Sequence, residues 1–328
     1  MKAVKEKEIR NIIKDYNIQL EKERPIDEIE STLTKEIKKF VEKKAILGID
    51  LYRYSQYKLL QQSIIPFLIN DLLRTTITNC SKHEPFIFQH LDMVELEKDF
   101  IDMGDGGFLI FDNPLEAVVF VIYFQANVKR YNSNHTSTKD IRNIIGPISL
   151  RYCVTLDDLY GYNKNHYGSG IINNARILAK DKLNRFLIDK YTIDWFDLEM
   201  NGIENLTNIT SADFEEINLF KNYKSFENGD ISTAGEAEVI AEFADSQEAT
   251  PEEEIEDESE INSVVFFEEW SDMFTVDVLH IGEIKSKLDI IDIYSIHLQI
   301  KMFSGGGTTA DFPKYTISIG NLNSSNLV

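Results

Sequence analysis

The chain has 328 residues, 43% of them apolar and 11% aromatic, enough for one large or two modest globular domains. With 55 acids against 34 bases the net charge is −21, which excludes a broad nucleic-acid or anionic-membrane surface. No run of 18 apolar residues occurs, and the start, Met1 to Arg10, is charged, so neither a membrane span nor a secretory signal is expected. Two cysteines, Cys80 and Cys153, cannot form a disulfide framework or a four-cysteine zinc site, and a reducing cytoplasm is the expected setting.

In chain order, residues 1–44 read as two charged helices broken near Pro25. Ile29, Leu33, Ile37 and Val41 form one apolar stripe on the second. Ala45 to Tyr52 is a short apolar strand. A helical pattern runs from Ser55 to about Leu73, with a kink before Pro66. Asp99 to Met103 and Gly107 to Phe111 form a hairpin turned by Gly104-Asp105-Gly106. Asn113-Pro114-Leu115-Glu116 supplies an N-cap, a first-turn proline and a capping acid for a helix to about Tyr131. Ile148 to Thr155 alternates as a strand, with Ile148, Leu150, Tyr152 and Val154 on one face. Gly168 to Asn184 reads as a helix and Arg185 to Trp195 as a strand region.

Between Ser225 and Ile284 there are nineteen acids and no lysine or arginine, while the rest of the chain carries 36 acids against 34 bases. The densest part, Pro251 to Glu260, repels itself and buries nothing, so it reads as a solvated linker; an electrostatic partner site is the alternative. Val264 to Val328 alternates β-like segments. The expected organisation is therefore N-terminal helices (1–44), a main α/β domain (45–226), an acidic linker (227–262) and a small β-rich C-terminal module (263–328). The expected fold is an α/β sandwich with a mainly antiparallel sheet.

Asp50 closes a buried strand just before a helix start, where a carboxylate is costly unless it meets a cation. Asp105 sits in a tight glycine turn. Two acids at adjacent strand ends make a hard oxygen site suited to magnesium or manganese. The amides of Arg53, Tyr54 and Ser55 at the helix start form a phosphate cradle. Metal acids beside a cradle point to a nucleoside triphosphate. Capping for Asp50 and an ordinary turn for Asp105 are the plain alternatives.

Gly48 to Ser55 (GIDLYRYS) resembles the first metal motif of class III nucleotidyl cyclases. Gly104-Asp105-Gly106, with Phe111 and Ala117, resembles their second, and Tyr167 to Leu178 resembles a third, a glycine leading into a helix with an Ala-Arg-Leu end. The three run in order from about Ala45 to Asp194. The resemblance implies that Asp50 and Asp105, with the Leu51 carbonyl, hold two divalent cations (Mn2+ or Mg2+). It implies that Arg176 stabilises charge on the α-phosphate, and that metal acids and arginine meet across a head-to-tail homodimer.

The departures narrow the substrate. Where purine-specific members carry a lysine or glutamate and an Asp or Cys to read the base, this chain has Ile101 and Asn165. The usual transition-state asparagine is Ile172, and Asn173 is its expected replacement. Tyr52, two residues along the strand from Asp50, would narrow the base pocket against a purine; core packing is the alternative. The pattern is similar to the bacterial pyrimidine cyclases of antiphage signalling, which implies cyclic UMP or CMP made for a downstream cyclic-nucleotide-responsive effector. A purine cyclase with unusual base contacts and a silent nucleotide-binding sensor remain alternatives. The six histidines show no paired metal spacing, and Ser304-Gly305-Gly306-Gly307 lacks the Lys-Ser/Thr of a phosphate loop.

Overall fold

Two charged helices lead the chain, as the sequence indicates. The computed structural model describes residues 3–22, 24–133, 138–163, 165–199, 262–265, 274–285, 290–302 and 315–321, with Ser325 and Leu327. After strand β1 (Ala3–Val4) come α1 (Glu6–Glu21) and α2 (Ile26–Lys38), separated at Pro25. Of the α2 stripe, Ile29 is buried and Ile37 is exposed, so the rod packs through one end.

The chain continues through β2 (Glu42–Leu51), a short 3-10 turn (Tyr54–Gln56), α3 (Leu59–His83) and α4 (Met93–Lys98). A hairpin of β3 (Ile101–Asp102) and β4 (Gly106–Phe111) leads into α5 (Pro114–Asn132) and α6 (Lys139–Ile145). Next are β5 (Leu150–Tyr162), β6 (Asn165–Tyr167), α7 (Ser169–Lys180), β7 (Phe186–Asp189) and α8 (Lys190–Glu199). The described chain closes with β8 (Asn262–Val265), β9 (Phe274–Lys285), β10 (Ile290–Met302) and β11 (Tyr315–Ile319).

These strands form one sheet in the order β3-β4-β2-β5-β7-β10-β9-β8, with β11 on β10 and both β1 and β6 on β5. The β5–β7 and β1–β5 pairs are parallel and the rest antiparallel, giving the expected mixed α/β architecture with a mainly antiparallel sheet. One face packs on α3 and α5 through Leu47, Ile49, Leu51, Leu68, Phe120 and Phe124. The other face packs α7 through Ile46, Cys153, Ile177 and Leu178. In β5, Leu150, Tyr152 and Val154 turn toward α5, as the alternation predicts.

Two expectations change. The C-terminal strands extend the main sheet instead of forming a module of their own: Ile293 to Ile296 of β10 pair with Asp189 to Phe186 of β7. Their alternating pattern is that of an edge seeking a partner, and β7 supplies one. Lys190 to Trp195 is helical, because Asp189 accepts the Thr192 amide at 2.9 Å and caps a helix directly off the strand. Residues 200–226, the acidic stretch 227–261 and Ser304 to Gly307 lie outside the described residues.

The α5 start follows the sequence signal. Asn113 accepts the Glu116 amide at 3.0 Å, Pro114 fills the first turn, and Glu116 accepts back from the Asp112 amide at 2.9 Å.

Candidate active site

β2 lies between β4 and β5, and its last residues alternate across the sheet. Ile49 and Leu51 enter the α3–α5 core, so Asp50 points to the α7 side. Asp50 is directly opposite Gly106 of β4. A Cβ at Gly106 would lie 2.0 Å from the Ile49 carbonyl oxygen, so only glycine lets the hairpin close this tightly on β2. The Leu51 amide then donates to the Asp105 carbonyl at 2.8 Å. Asp50, Leu51 and Asp105 are thereby gathered at one corner. Burial pushes the Asp50 carboxyl up, partly offset by Arg151. Burial pushes Asp105 up too, and the negative charge of Asp50 adds to it. Two half-buried acids that repel each other favour a shared cation.

Arg151, which the sequence reading did not single out, stands opposite Asp50 on β5. Its Nε donates to Asp50 Oδ2 at 2.7 Å, and a second guanidinium nitrogen reaches the same oxygen. The third nitrogen donates to the Asp181 carbonyl. Asp181 ends α7, its amide bonding the Ile177 carbonyl at 3.1 Å, and its carboxylate pairs with the buried Arg185 at 2.6 Å. A chain of hydrogen bonds and ion pairs thus ties the Asp50–Asp105 corner to the C-terminal end of α7. The signal in the sequence was the lone arginine among the apolar positions of Ile148 to Thr155.

On α7, Asn174 is fully buried and donates to the Ile46 and Cys153 carbonyls at 2.8 and 3.0 Å, locking the helix to the sheet. A Cβ at Gly48 would lie 2.2 Å from Asn174 Oδ1, so this glycine admits the helix to close range. Asn173 also turns inward: it is 4% exposed and its amide donates to Asp157 at 2.8 Å. Ser169 holds the other Asp157 oxygen at 2.8 Å. Asn173 is not on the open face beside Arg176, since the same helix turn that exposes Arg176 packs it on β5. Arg176 is exposed and carries no hydrogen bond or ion pair among the described residues.

The phosphate cradle is not formed as expected. β2 ends at Leu51, Arg53 takes a left-handed φ of 59°, and Tyr54 to Gln56 make a single 3-10 turn. The long helix starts only at Leu59 and runs through Pro66 to His83. The amides of Arg53, Tyr54 and Ser55 therefore sit at the start of this single turn and not at the N-terminus of the long helix. Tyr52 lies past the strand end, not along it: its amide donates to the Ser149 carbonyl at 2.9 Å, and the Arg53 guanidinium lies 5.0 Å over its ring. Ile101 is half-buried opposite Phe108, and Asn165 is exposed opposite Tyr162. His166 next to Asn165 reaches Asp99 at 3.3 Å, which ties β6 to the base of the hairpin that bears Ile101.

No protein-family model and no curated protein matches this chain. Solved structures do. A guanylyl cyclase, Cya2, is 12% identical, with 83% of this chain and 97% of that one covered and a TM-score of 0.37. An adenylate cyclase of Trypanosoma brucei is 10% identical, with 77% and 89% covered and a TM-score of 0.32. An adenylate/guanylate cyclase/hydrolase of Silicibacter pomeroyi is 14% identical, with 47% and 79% covered and a TM-score of 0.30. At such scores the likeness assigns no activity, which has to come from the side chains.

Chemically, the corner offers two carboxylates and no third His, Cys, Asp or Glu; no group of three that could hold a metal occurs among the described residues. That donor set fits a hard divalent cation whose remaining ligands are water and phosphate oxygens, the usual manner of magnesium. It does not fit zinc, which wants nitrogen and sulfur. No helix among the described residues is long and apolar enough to cross a membrane.

Proposed function

We propose that this chain is a metal-dependent nucleotide cyclase acting on UTP or CTP. The observation that carries the reading is the junction of Asp50 and Asp105, two raised-pKa carboxyls set side by side by the Leu51–Asp105 backbone bond. The three motifs that resemble class III cyclases support it. In the reaction the ribose 3′-oxygen bonds to the α-phosphorus, the bond to the β-phosphate bridge breaks, and pyrophosphate leaves. The hydroxyl proton passes to solvent.

Asp50 and Asp105, with the Leu51 carbonyl, would hold two magnesium or manganese ions. Such ions, when bound, lower the pKa of the 3′-hydroxyl and neutralise the triphosphate. Arg176, from a second copy of the chain, would meet the charge that grows on the α-phosphate. Its exposed, unpaired state in one protomer supports a head-to-tail homodimer with two equal sites. Tyr52, Ile101 and Asn165 would line the base, and the absence of charged purine readers at the last two supports a pyrimidine. The product would serve as a second messenger to an effector in antiphage defence, on the strength of the resemblance.

One observation favours a second reading, nucleotide binding without turnover: Asn173 is spent on Asp157, leaving no transition-state amide beside Arg176. Product analysis separates the two. The purified chain is incubated with manganese and each of ATP, GTP, CTP and UTP, and products are identified by mass spectrometry. A cyclic pyrimidine monophosphate that vanishes in Asp50→Ala and Asp105→Ala is expected. Cyclic AMP or GMP would overturn the base assignment, and binding without product would favour the silent module.

A further inference from the structure

Far along the same sheet face, three neighbouring strands place Asp277, His297 and Ser318 together. Val276 on β9, Ile296 and Leu298 on β10, and Ile319 on β11 enter the α3–α5 core, so the residues that alternate with them face the α7 side. His297 is directly opposite Asp277, and Ser318, on the other flank of β10, is opposite Gln299, two residues along from His297. His297 Nδ1 lies 3.4 Å from Asp277 Oδ2, and its Nε2 lies 3.0 Å from Ser318 Oγ. His297 is 7% exposed while Ser318 is open to solvent.

The chemistry of this arrangement follows from its order. A carboxylate accepts only, so the contact with Asp277 favours the tautomer protonated on Nδ1, and in that tautomer Nε2 presents a lone pair to the serine hydroxyl. A base oriented by an acid and bonded to an accessible hydroxyl is the relation that makes serine a nucleophile.

The group also stands in a definite place. Phe186 and Ile296 are opposite in the β7–β10 pair, so Arg185 and His297 occupy the next rung. Asp50, Arg151, Arg185, His297 and Asp277 therefore run as one polar row across five strands. His297 is three strand spacings from Asp50, about 14 Å, outside reach of the metal-acid corner.

We propose that Ser318, His297 and Asp277 form a second chemical site in which Ser318 is a nucleophile toward activated acyl esters. Its Oγ bonds to the ester carbonyl carbon as its proton passes to His297 Nε2. The carbon–alkoxide bond breaks, and the alcohol leaves with that proton. Water then cleaves the acyl-serine by the same route, giving the acid and the free hydroxyl.

The test needs neither nucleotide nor metal, so it stands apart from the cyclase reading. The full chain in EDTA is treated with a fluorophosphonate and, separately, with p-nitrophenyl acetate, and adducts are located by peptide mass spectrometry. One adduct at Ser318 is expected, absent in Ser318→Ala and formed at least about 100-fold more slowly in His297→Gln. Because His297→Gln could perturb the sheet, Ser318→Cys is tested with His297 intact. Its thiol should react with iodoacetamide well faster than free cysteine at neutral pH, through the neighbouring base. No adduct at Ser318 in the folded protein, an unchanged rate in folded His297→Gln, or a Ser318→Cys thiol no faster than free cysteine would each overturn the proposal.

Discussion

Arg151 and Asp50 face each other across the β2–β5 pair, with the guanidinium Nε 2.7 Å from the carboxylate and the same side chain reaching the end of α7. The pair is only partly shielded, its side chains 17% and 22% exposed, so it stands between a surface ion pair and a buried one. Removing the arginine leaves Asp50 half-buried without its cation. Arg151→Ala is expected to lower unfolding stability by about 2 kcal/mol, the range of a charge-assisted bond. In an Asp50→Asn background the same change should cost at least about 1 kcal/mol less. Urea denaturation of the four proteins measures the difference, and an equal cost in both backgrounds would show that the pair carries no coupling.

Asp189 gives the protein a pH dependence that can be assigned to one residue. It is buried in β7, and desolvation raises its carboxyl to about 7, against the opposing pull of the Thr192 and Leu156 amides. The native state therefore holds a proton that the unfolded chain releases near pH 4. The contribution is complete below that value, declines as pH rises from 4 to 7, and is gone above 7; its ceiling is roughly 4 kcal/mol. Asp189→Asn keeps an acceptor for both amides but cannot titrate. Urea midpoints at pH 5, 6, 7 and 8 should fall for the wild type and fall less for the variant. Identical slopes would remove Asp189 as the cause.

What the sequence disclosed, and what it hid, divides along a physical line. Local signals were legible: the Asn113-Pro114-Glu116 cap, the Gly104–Gly106 hairpin and the apolar face of Leu150, Tyr152 and Val154 each depend on residues a few positions apart. Asp50 and Asp105 were legible because a short strand and a tight turn present them at fixed places. Arg151 was hidden because its meaning depends on pairing 101 residues away in the chain. The β10–β7 pairing was hidden for the same reason, across a long acidic stretch that looks like a boundary. Asn173 misled because spacing on a helix gives a neighbour, while burial decides which way that neighbour is used.

A divalent ion should declare itself through stability as well as turnover. An ion that binds the native state alone stabilises it as its concentration rises past the dissociation constant, by about 2.7 kcal/mol at a hundredfold excess over that constant. Manganese added with a non-hydrolysable pyrimidine triphosphate is expected to raise the melting temperature of the wild type. Asp105→Asn, which keeps the hairpin backbone but loses a charge, should show a much smaller rise. EDTA should reverse the effect in the wild type. A rise of equal size in the variant would place the ion elsewhere.

Arg176 decides whether the site is shared between copies. It is exposed and unpaired, so Arg176→Ala should leave unfolding stability within about 0.5 kcal/mol of the wild type. If a partner's Arg176 completes the corner formed by Asp50 and Asp105, Arg176→Ala and Asp50→Ala are each inactive alone. Co-refolded in equal amounts, half of their dimers are mixed. Each mixed dimer has one site with both defects and one with none, so turnover should return to about a quarter of the wild-type value. A site contained within one copy gives no recovery on mixing, because every chain then lacks either its acid or its arginine.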